Sequence, residues 1–404
     1  MAANLPGTDR DRQVGRRGTR LAQRLQGIPT SIFTEMSALA VSTGSLNMGQ
    51  GFPDADGPGS VVEAAVTAMR SGSNQYAPGR GVPELRRAVA AHQRDHYGIE
   101  LDPHSEVVVT TGATEGVAAA ILALIDPGDE IVVLEPFYDS YVANIAMAGA
   151  VRRPVTLRAP DFRLDVEDLR AAVTARTTAM LVNTPHNPTG TVLNRAELEA
   201  FASVAVEHDL LVITDEVYEH LVFDDHEHIP LCTLPGMWER TVAVSSAGKT
   251  FSFTGWKVGW ATGPSELVRA VEAAKQWLTF TSGAPLQPAI AHALTQESGF
   301  YRRLANELEG KRNHLCNSLR ELGMDVYVPE ATYFVTSDVS SFGHEDGLTF
   351  CLSLPERAGV VAIPSQVFYD DFEEGRHLVR WAFCKEQSLL DEGIRRLGAA
   401  DLYA

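Results

Sequence analysis

Between Val107 and Thr262, short apolar runs rich in β-branched residues alternate with segments of helical character. The runs are Val107-Val108-Val109, Glu130 to Leu134, Thr178 to Val182, Leu210 to Thr214, Thr241 to Val244 and Val258 to Thr262. An apolar helix to Ile125 and another from Ala196 to His208 separate some of them, and a further helix is expected to begin at Glu135-Pro136-Phe137-Tyr138. This alternation predicts an α/β fold with a mostly parallel central sheet covered on both faces, because parallel neighbours need crossover connections. Such sheets bind ligands outside the carboxyl ends of their strands. Asn183 with Asn187, Asp215, and Ser246 with Lys249 fall at those ends.

The rest of the chain changes character. Helical spacing marks Ile32 to Ala40, Val61 to Met69 and Glu84 to Tyr97, the last with Leu85, Ala88, Val89 and His92 on one face. After about residue 264 helices are expected over Ser265–Phe280, Leu286–Leu294 and Phe300–Leu322. Short strands follow at Val326–Val328, Tyr333–Thr336, Val360–Ile363 and Leu378–Phe383, then a helix at Leu389–Leu397. At 404 residues the chain exceeds one ordinary core. The expected division is a loose arm (1–27), an N-terminal part of a small α+β domain (28–50), a large domain (51–290) and the rest of the small domain (291–404).

Charge narrows the function. There are 52 acidic against 34 basic residues, a net charge of −18, which argues against binding nucleic acid or an acidic membrane. Four scattered cysteines without a C-x-x-C pair argue against a disulfide framework or structural zinc, and no metal is expected. The N-terminus lacks a secretory apolar core, and a cytoplasmic protein is expected.

The stretch from Ser245 to Trp260 holds Lys249 and Lys257 among small and aromatic residues. A lysine on a Ser/Gly turn at a strand end is placed to be a reactive amine, since desolvation and nearby cations lower its pKa. The alternative for any single lysine is a solvated loop position. The run Thr110-Thr111-Gly112-Ala113-Thr114-Glu115-Gly116, between a strand and a helix, has the make-up of an anion-binding turn.

In order along the chain come Asn-Pro-Thr-Gly from Asn187, Asp-Glu-Val-Tyr from Asp215, Ser-Ser-Ala-Gly-Lys-Thr from Ser245, Gly-Trp-Lys-Val-Gly from Gly255 and Val-Arg-Trp-Ala-Phe from Val379. This ordered set resembles the class I/II aminotransferases of fold type I, from about Ile32 to the C-terminus. The resemblance implies pyridoxal 5′-phosphate, with Lys249 forming the Schiff base and moving the proton. It implies that Asp215 pairs with the pyridine nitrogen, and that Tyr218 and Asn187 hydrogen-bond the ring hydroxyl. Gly112, Ala113, Thr114, Ser246 and Lys257 are assigned to the phosphate. Many relatives carry Arg where Lys257 stands, and Lys is similar to the kynurenine and glutamine aminotransferase branch. Tyr138 is assigned to stacking on the ring, with Phe137 the adjacent alternative. Arg380 is assigned to the substrate α-carboxylate, helped by Asn183 and Gly51. Tyr76 matches the residue that reaches the neighbouring subunit's phosphate, which implies a homodimer with shared active sites.

The finer motifs most resemble actinobacterial N-succinyldiaminopimelate aminotransferases and their kynurenine, glutamine and methionine relatives. The expected reaction passes an amino group between an L-amino acid and a 2-oxo acid, with 2-oxoglutarate and glutamate one pair. The side-chain pocket is expected to involve the last helix, the N-terminal loop and residues near Tyr333 and Phe280. The competing readings are a C–S β-lyase or another carbanion enzyme on the same cofactor, and a ligand-sensing regulator.

Overall fold

The computed structural model describes residues 22–26, 28 and 30–404. The expected arm therefore lies outside the described residues, except at 22–26, where Gln23–Leu25 make a turn of 3-10 helix.

The strands, in chain order, are β1 (Leu46–Asn47), β2 (Val107–Thr111), β3 (Glu130–Glu135), β4 (Val151–Thr156), β5 (Thr177–Asn183), β6 (Leu211–Asp215) and β7 (Thr241–Ser246). They continue as β8 (Val258–Thr262), β9 (Asp325–Tyr327), β10 (Phe334–Asp338), β11 (Val360–Val361), β12 (Ile363–Pro364) and β13 (Leu378–Ala382). Seven of them form one sheet in the order β2-β8-β7-β6-β5-β3-β4. Within it β4, β3, β5, β6 and β7 are parallel, and β8 runs against both of its neighbours.

Side-chain alternation explains why both faces are covered. Val132, Leu134, Met180, Val182 and Val212 pack on one face, under Leu198, Phe201 and Ala205 of helix Arg195–Glu207. Ile131, Val133, Ala179, Leu181 and Ile213 point the other way, against helices Gly112–Leu124, Asp139–Ala148 and Ser265–Leu278. Successive strand residues face opposite sides, so a strand buried on both reads as a continuous apolar run.

Sequence reading passed over β4, whose Val-Arg-Arg-Pro-Val-Thr lacks such a run. It lies at the sheet edge, where Pro154 removes no ladder bond that an outer neighbour needs. The helix expected from Glu135 begins instead at Asp139. Glu135 closes β3, and the residues between leave Tyr138 at the mouth of a pocket.

A second, antiparallel sheet has the order β12-β13-β10-β9. Its core joins Trp381 and Val335 to Leu315 and Leu319 of helix Phe300–Glu321, and to Phe350, Leu354 and Leu390. The expected strand Val360–Ile363 is divided. Val360–Val361 pairs with β1, while Ile363–Pro364 pairs with β13, so the chain passes between two sheets at Ala362. Helix Gly347–Ala358 was not anticipated; Pro355 lies inside it and obscures its signal, while the Asp346 carboxylate caps its start by accepting from Thr349 N–H at 2.7 Å. Among the described residues no helix is long and apolar enough to cross a membrane.

Candidate active site

Three parallel strands end side by side. Asn183 closes β5 opposite Asp215 of β6, Asp215 sits opposite Val244 of β7, and Ser246 is the last residue of β7. Because β8 is reversed, it starts where its neighbours stop: Gly259 lies opposite Ser246, and Val258 opposite Thr111. Gly259 is required here, since a Cβ on it would come within 2.6 Å of the Gly112 carbonyl carbon. A pocket of about 410 Å³ opens on this edge, between the large sheet and Arg380 of β13.

Lys249 lies on the single helical turn Ala247–Thr250 that follows β7. Its amine donates to the Tyr333 hydroxyl and to the Gly51 carbonyl, the latter at 3.3 Å, and Tyr333 donates to the same carbonyl at 2.6 Å. Burial, helped by Arg380 and Lys257 and opposed by Asp215, lowers its amine to about 8. No carboxylate stands within ion-pair distance of it among the described residues.

Asp215 is buried, and its carboxylate accepts from the Tyr141 hydroxyl at 2.7 Å and from Val217 N–H at 3.3 Å. Burial raises it to about 6 against the opposing pull of Tyr141. A buried acid with no cation beside it matches a protonated ring nitrogen.

Arg380 is 2% exposed. It donates to Asn187 Oδ1 at 3.2 Å and to the Gly49 carbonyl at 2.9 Å, and its Nε has no partner. The guanidinium lies 4.0 Å from the Phe334 ring centroid and 4.7 Å from that of Phe33. Burial lowers it to about 10, so it remains a cation at neutral pH, held by aromatic faces and carbonyls but by no acid. That arrangement fits a ligand carboxylate.

At the opposite end, helix Gly112–Leu124 points its N-terminus at the pocket, with Gly112, Ala113 and Thr114 on the lining. Lys257 donates to Thr114 Oγ1 at 3.0 Å and has the left-handed φ of 54°. Ser246 lines the same end. Backbone donors, a hydroxyl and an ammonium together suit a phosphate. The pocket residues therefore fit pyridoxal phosphate: an unpaired acid, a lysine without an acid, and a cradle for a dianion.

The remaining assignments sort as follows. Tyr218 and Asn187 line the pocket, and Tyr138 does so while Phe137 is buried in the core. Asn183 also lines it, but its amide donates to the carbonyls of Asp215 (2.9 Å) and Pro185 (3.2 Å), and its Oδ1 accepts from Asn187 N–H (2.8 Å). Its side chain holds the two loops together. Gly51 presents its carbonyl to Lys249. Tyr76 is 84% exposed and is not in this chain's pocket; its ring meets Phe280 edge-on at 5.5 Å. Phe280 and the last helix, Gln387–Ala399, do not line the pocket, contrary to expectation. That helix packs into the second core through Leu390 and Leu397.

Sequence reading missed Tyr141, Phe33 and Phe334. Tyr141 follows Tyr138 by three residues, a helical spacing that brings both to one side, and this was the available signal. Phe33 carried the same spacing as core positions. Ser31 donates to Asp139, tying the segment before helix Ile32–Thr43 to the pocket wall.

A family model for class I and II aminotransferases matches residues 43–397. The solved N-succinyldiaminopimelate aminotransferase of Mycobacterium tuberculosis is 51% identical, with a TM-score of 0.92 over 94% of this chain and 99% of its own. The methionine aminotransferase of Escherichia coli is 40% identical over 93% of this chain and 97% of its own length. Human kynurenine–oxoglutarate transaminase 3 is 35% identical over 92% of this chain and 88% of its own.

Proposed function

The chain belongs to the class I and II aminotransferases, and from that membership we propose that its amino donor is N-succinyl-L,L-2,6-diaminopimelate and its acceptor 2-oxoglutarate. It is a pyridoxal-phosphate-dependent enzyme of fold type I that exchanges amino and oxo groups between an amino acid and a 2-oxo acid. The lyase and sensor readings are not favoured, since the relatives it matches are aminotransferases. The observation that carries the substrate reading is the 51% identity to the Mycobacterium enzyme, against 40% and 37% to the methionine and mouse kynurenine enzymes.

When bound, pyridoxal phosphate supplies an electron sink for the pair left at the substrate α-carbon. The chain's own residues do the rest. Lys249, its amine lowered by burial, takes the α-proton and returns it on the other side of the exchange. Asp215 would keep a proton on the ring nitrogen, and Tyr141 holds its carboxylate in place. Tyr218 and Asn187 would hydrogen-bond the ring hydroxyl, and Tyr138 would stack on the ring. Ser246, Lys257 and the helix start at Gly112–Thr114 would hold the phosphate. Arg380 binds the substrate α-carboxylate, and Asn183 positions Asn187 for both tasks.

Exposed Tyr76, Trp277 and Phe280 support a homodimer in which Tyr76 completes the partner's phosphate site. Four free, buried cysteines support a reducing, cytoplasmic setting. A donor panel with 2-oxoglutarate tests the substrate: N-succinyl-L,L-diaminopimelate is expected to give the highest kcat/KM. A methionine, glutamine or kynurenine value above it would overturn the reading. Sedimentation velocity tests the dimer, and a monomer at working concentration would reject it.

A further inference from the structure

Three histidines that the catalytic pocket does not use converge in a second cleft of about 920 Å³, which shares no lining residue with the first. His92 and His96 are four residues apart on helix Pro83–Tyr97, so both rings leave the same face. The rings stack at 4.4 Å with 27° between their planes. His220 meets them from the turn after β6, perpendicular to His92 at 4.8 Å between centroids. Its Nε2 lies 2.6 Å from His92 Nε2. One ring nitrogen from each of the three falls within 4.8 Å of the others.

His96 is already in the right tautomer, and a bound ion would replace the proton shared between His92 Nε2 and His220 Nε2. His96 Nδ1 faces the His92 carbonyl at 3.0 Å, which places the proton on Nδ1 and leaves the Nε2 lone pair free to accept, at present from the Tyr301 hydroxyl. A backbone carbonyl on the far nitrogen is the support that metal-bound imidazoles commonly have. Asp95, Glu219 and Glu227 line the same cleft, which favours the approach of a cation.

We propose that His92, His96 and His220 form a binding site for a divalent d-block cation, zinc being the best match, with solvent as the fourth ligand. Three imidazoles with an open position suit zinc, cobalt and nickel, and not magnesium or calcium. Tetrahedral bonds of about 2.0–2.1 Å set the nitrogens roughly 3.3 Å apart, so His92 and His220 part by somewhat under 1 Å. Side-chain rotation at half-buried His220 accommodates that. His220 lies two residues beyond Tyr218, and a bound ion stiffens the turn that carries Tyr218 and follows Asp215 at the end of β6.

The test uses holoenzyme stripped of metal with a chelator. Calorimetric titration with Zn²⁺ is expected to give one ion per chain with a Kd of about 10 μM or tighter. Co²⁺ is expected to develop the visible bands of a tetrahedral nitrogen site, with the cofactor absorbance unchanged. His96→Ala alters an exposed position, and His220→Gln keeps the side chain polar; each is expected to weaken Zn²⁺ binding about tenfold or more and to remove the Co²⁺ bands. The Tm of the parent is expected to rise with free Zn²⁺, and that of the variants to stay flat. No bands and no heat from the parent, or equal binding by parent and both variants, would overturn the site.

Discussion

Arg312 and Arg380 are buried alike, at 3% and 2% exposure, and both lie over phenylalanine rings. Their partners differ. Arg312, on helix Phe300–Glu321, is held by both oxygens of Asp224, at 2.7 and 3.0 Å, and by the Pro329 carbonyl. Arg380 has two neutral acceptors and an idle Nε. The lysines repeat the contrast. Buried Lys385 bonds to Asp54 at 3.2 Å, whereas Lys249 has only a phenol and a carbonyl. Arg312 and Lys385 carry their counter-charge with them, although the fold can also bury a cation on carbonyls alone, as it does Lys275 on those of Gly79 and Phe280. Arg380 and Lys249 differ from all of these in lining the pocket, where the partner we propose is a ligand.

Five substitutions test that contrast. Lys249→Ala is expected to lower turnover by roughly 10⁴-fold or more, because the proton carrier is gone, while Lys385→Ala lowers thermal stability first; steady-state rates and melting curves separate them. If Lys249→Ala keeps near-parental turnover, the assignment of the reactive amine is wrong. Arg380→Ala is expected to cost about 10²- to 10³-fold in kcat/KM, chiefly through KM, with no loss of Tm. A fall in Tm without a change in KM would make Arg380 a structural residue like Arg312.

Asp215→Asn is expected to lower turnover by roughly 10²-fold and to stabilise the cofactor-free protein at neutral pH. The sign follows from its raised carboxyl, which moves from 3.8 to about 6. Between those values the folded protein holds a proton that the unfolded chain has lost, so stability declines as pH rises through the window, by up to about 3 kcal/mol. Chemical denaturation of cofactor-free parent and variant at pH 4 and pH 7 reads this directly; equal slopes would remove the unpaired acid from the account. Arg312→Ala is the mildest for catalysis: about 2 kcal/mol of stability is expected to go, softened because half-exposed Asp224 rehydrates, while kcat/KM stays at the parental value.

Residues on the parallel strands were legible because backbone position alone brings them together. Asn183, Asp215 and Ser246 end adjacent strands, and any chain that makes this sheet aligns them. Lys249 was legible from its turn chemistry. Arg380 needed the motif around it, since nothing local separates it from Arg312. Tyr141, Phe33, Phe334 and the histidine cluster were not legible, because each acts through a contact made only in three dimensions. His92 read as one member of a helix face, and its partner His220 lies 128 residues away. The strand β4 and helix Gly347–Ala358 escaped for a different reason: each contains a proline at a place its neighbours tolerate.

The reversal of β8 has a kinetic consequence. It keeps the chain at the ligand edge between β7 and β8, so Lys249 and Lys257 stand at one site with seven residues between them. The contact between Arg380 and Asn187 closes a loop of 193 residues, and that between Lys249 and Gly51 one of 198. Closing a chain costs entropy that grows with loop length, and distant contacts slow folding. The end proposed for the phosphate needs a comparable closure, since Lys257 meets Thr114 across 143 residues, but that closure is made within one sheet. The end at Arg380, proposed for the substrate carboxylate, waits until both sheets have formed.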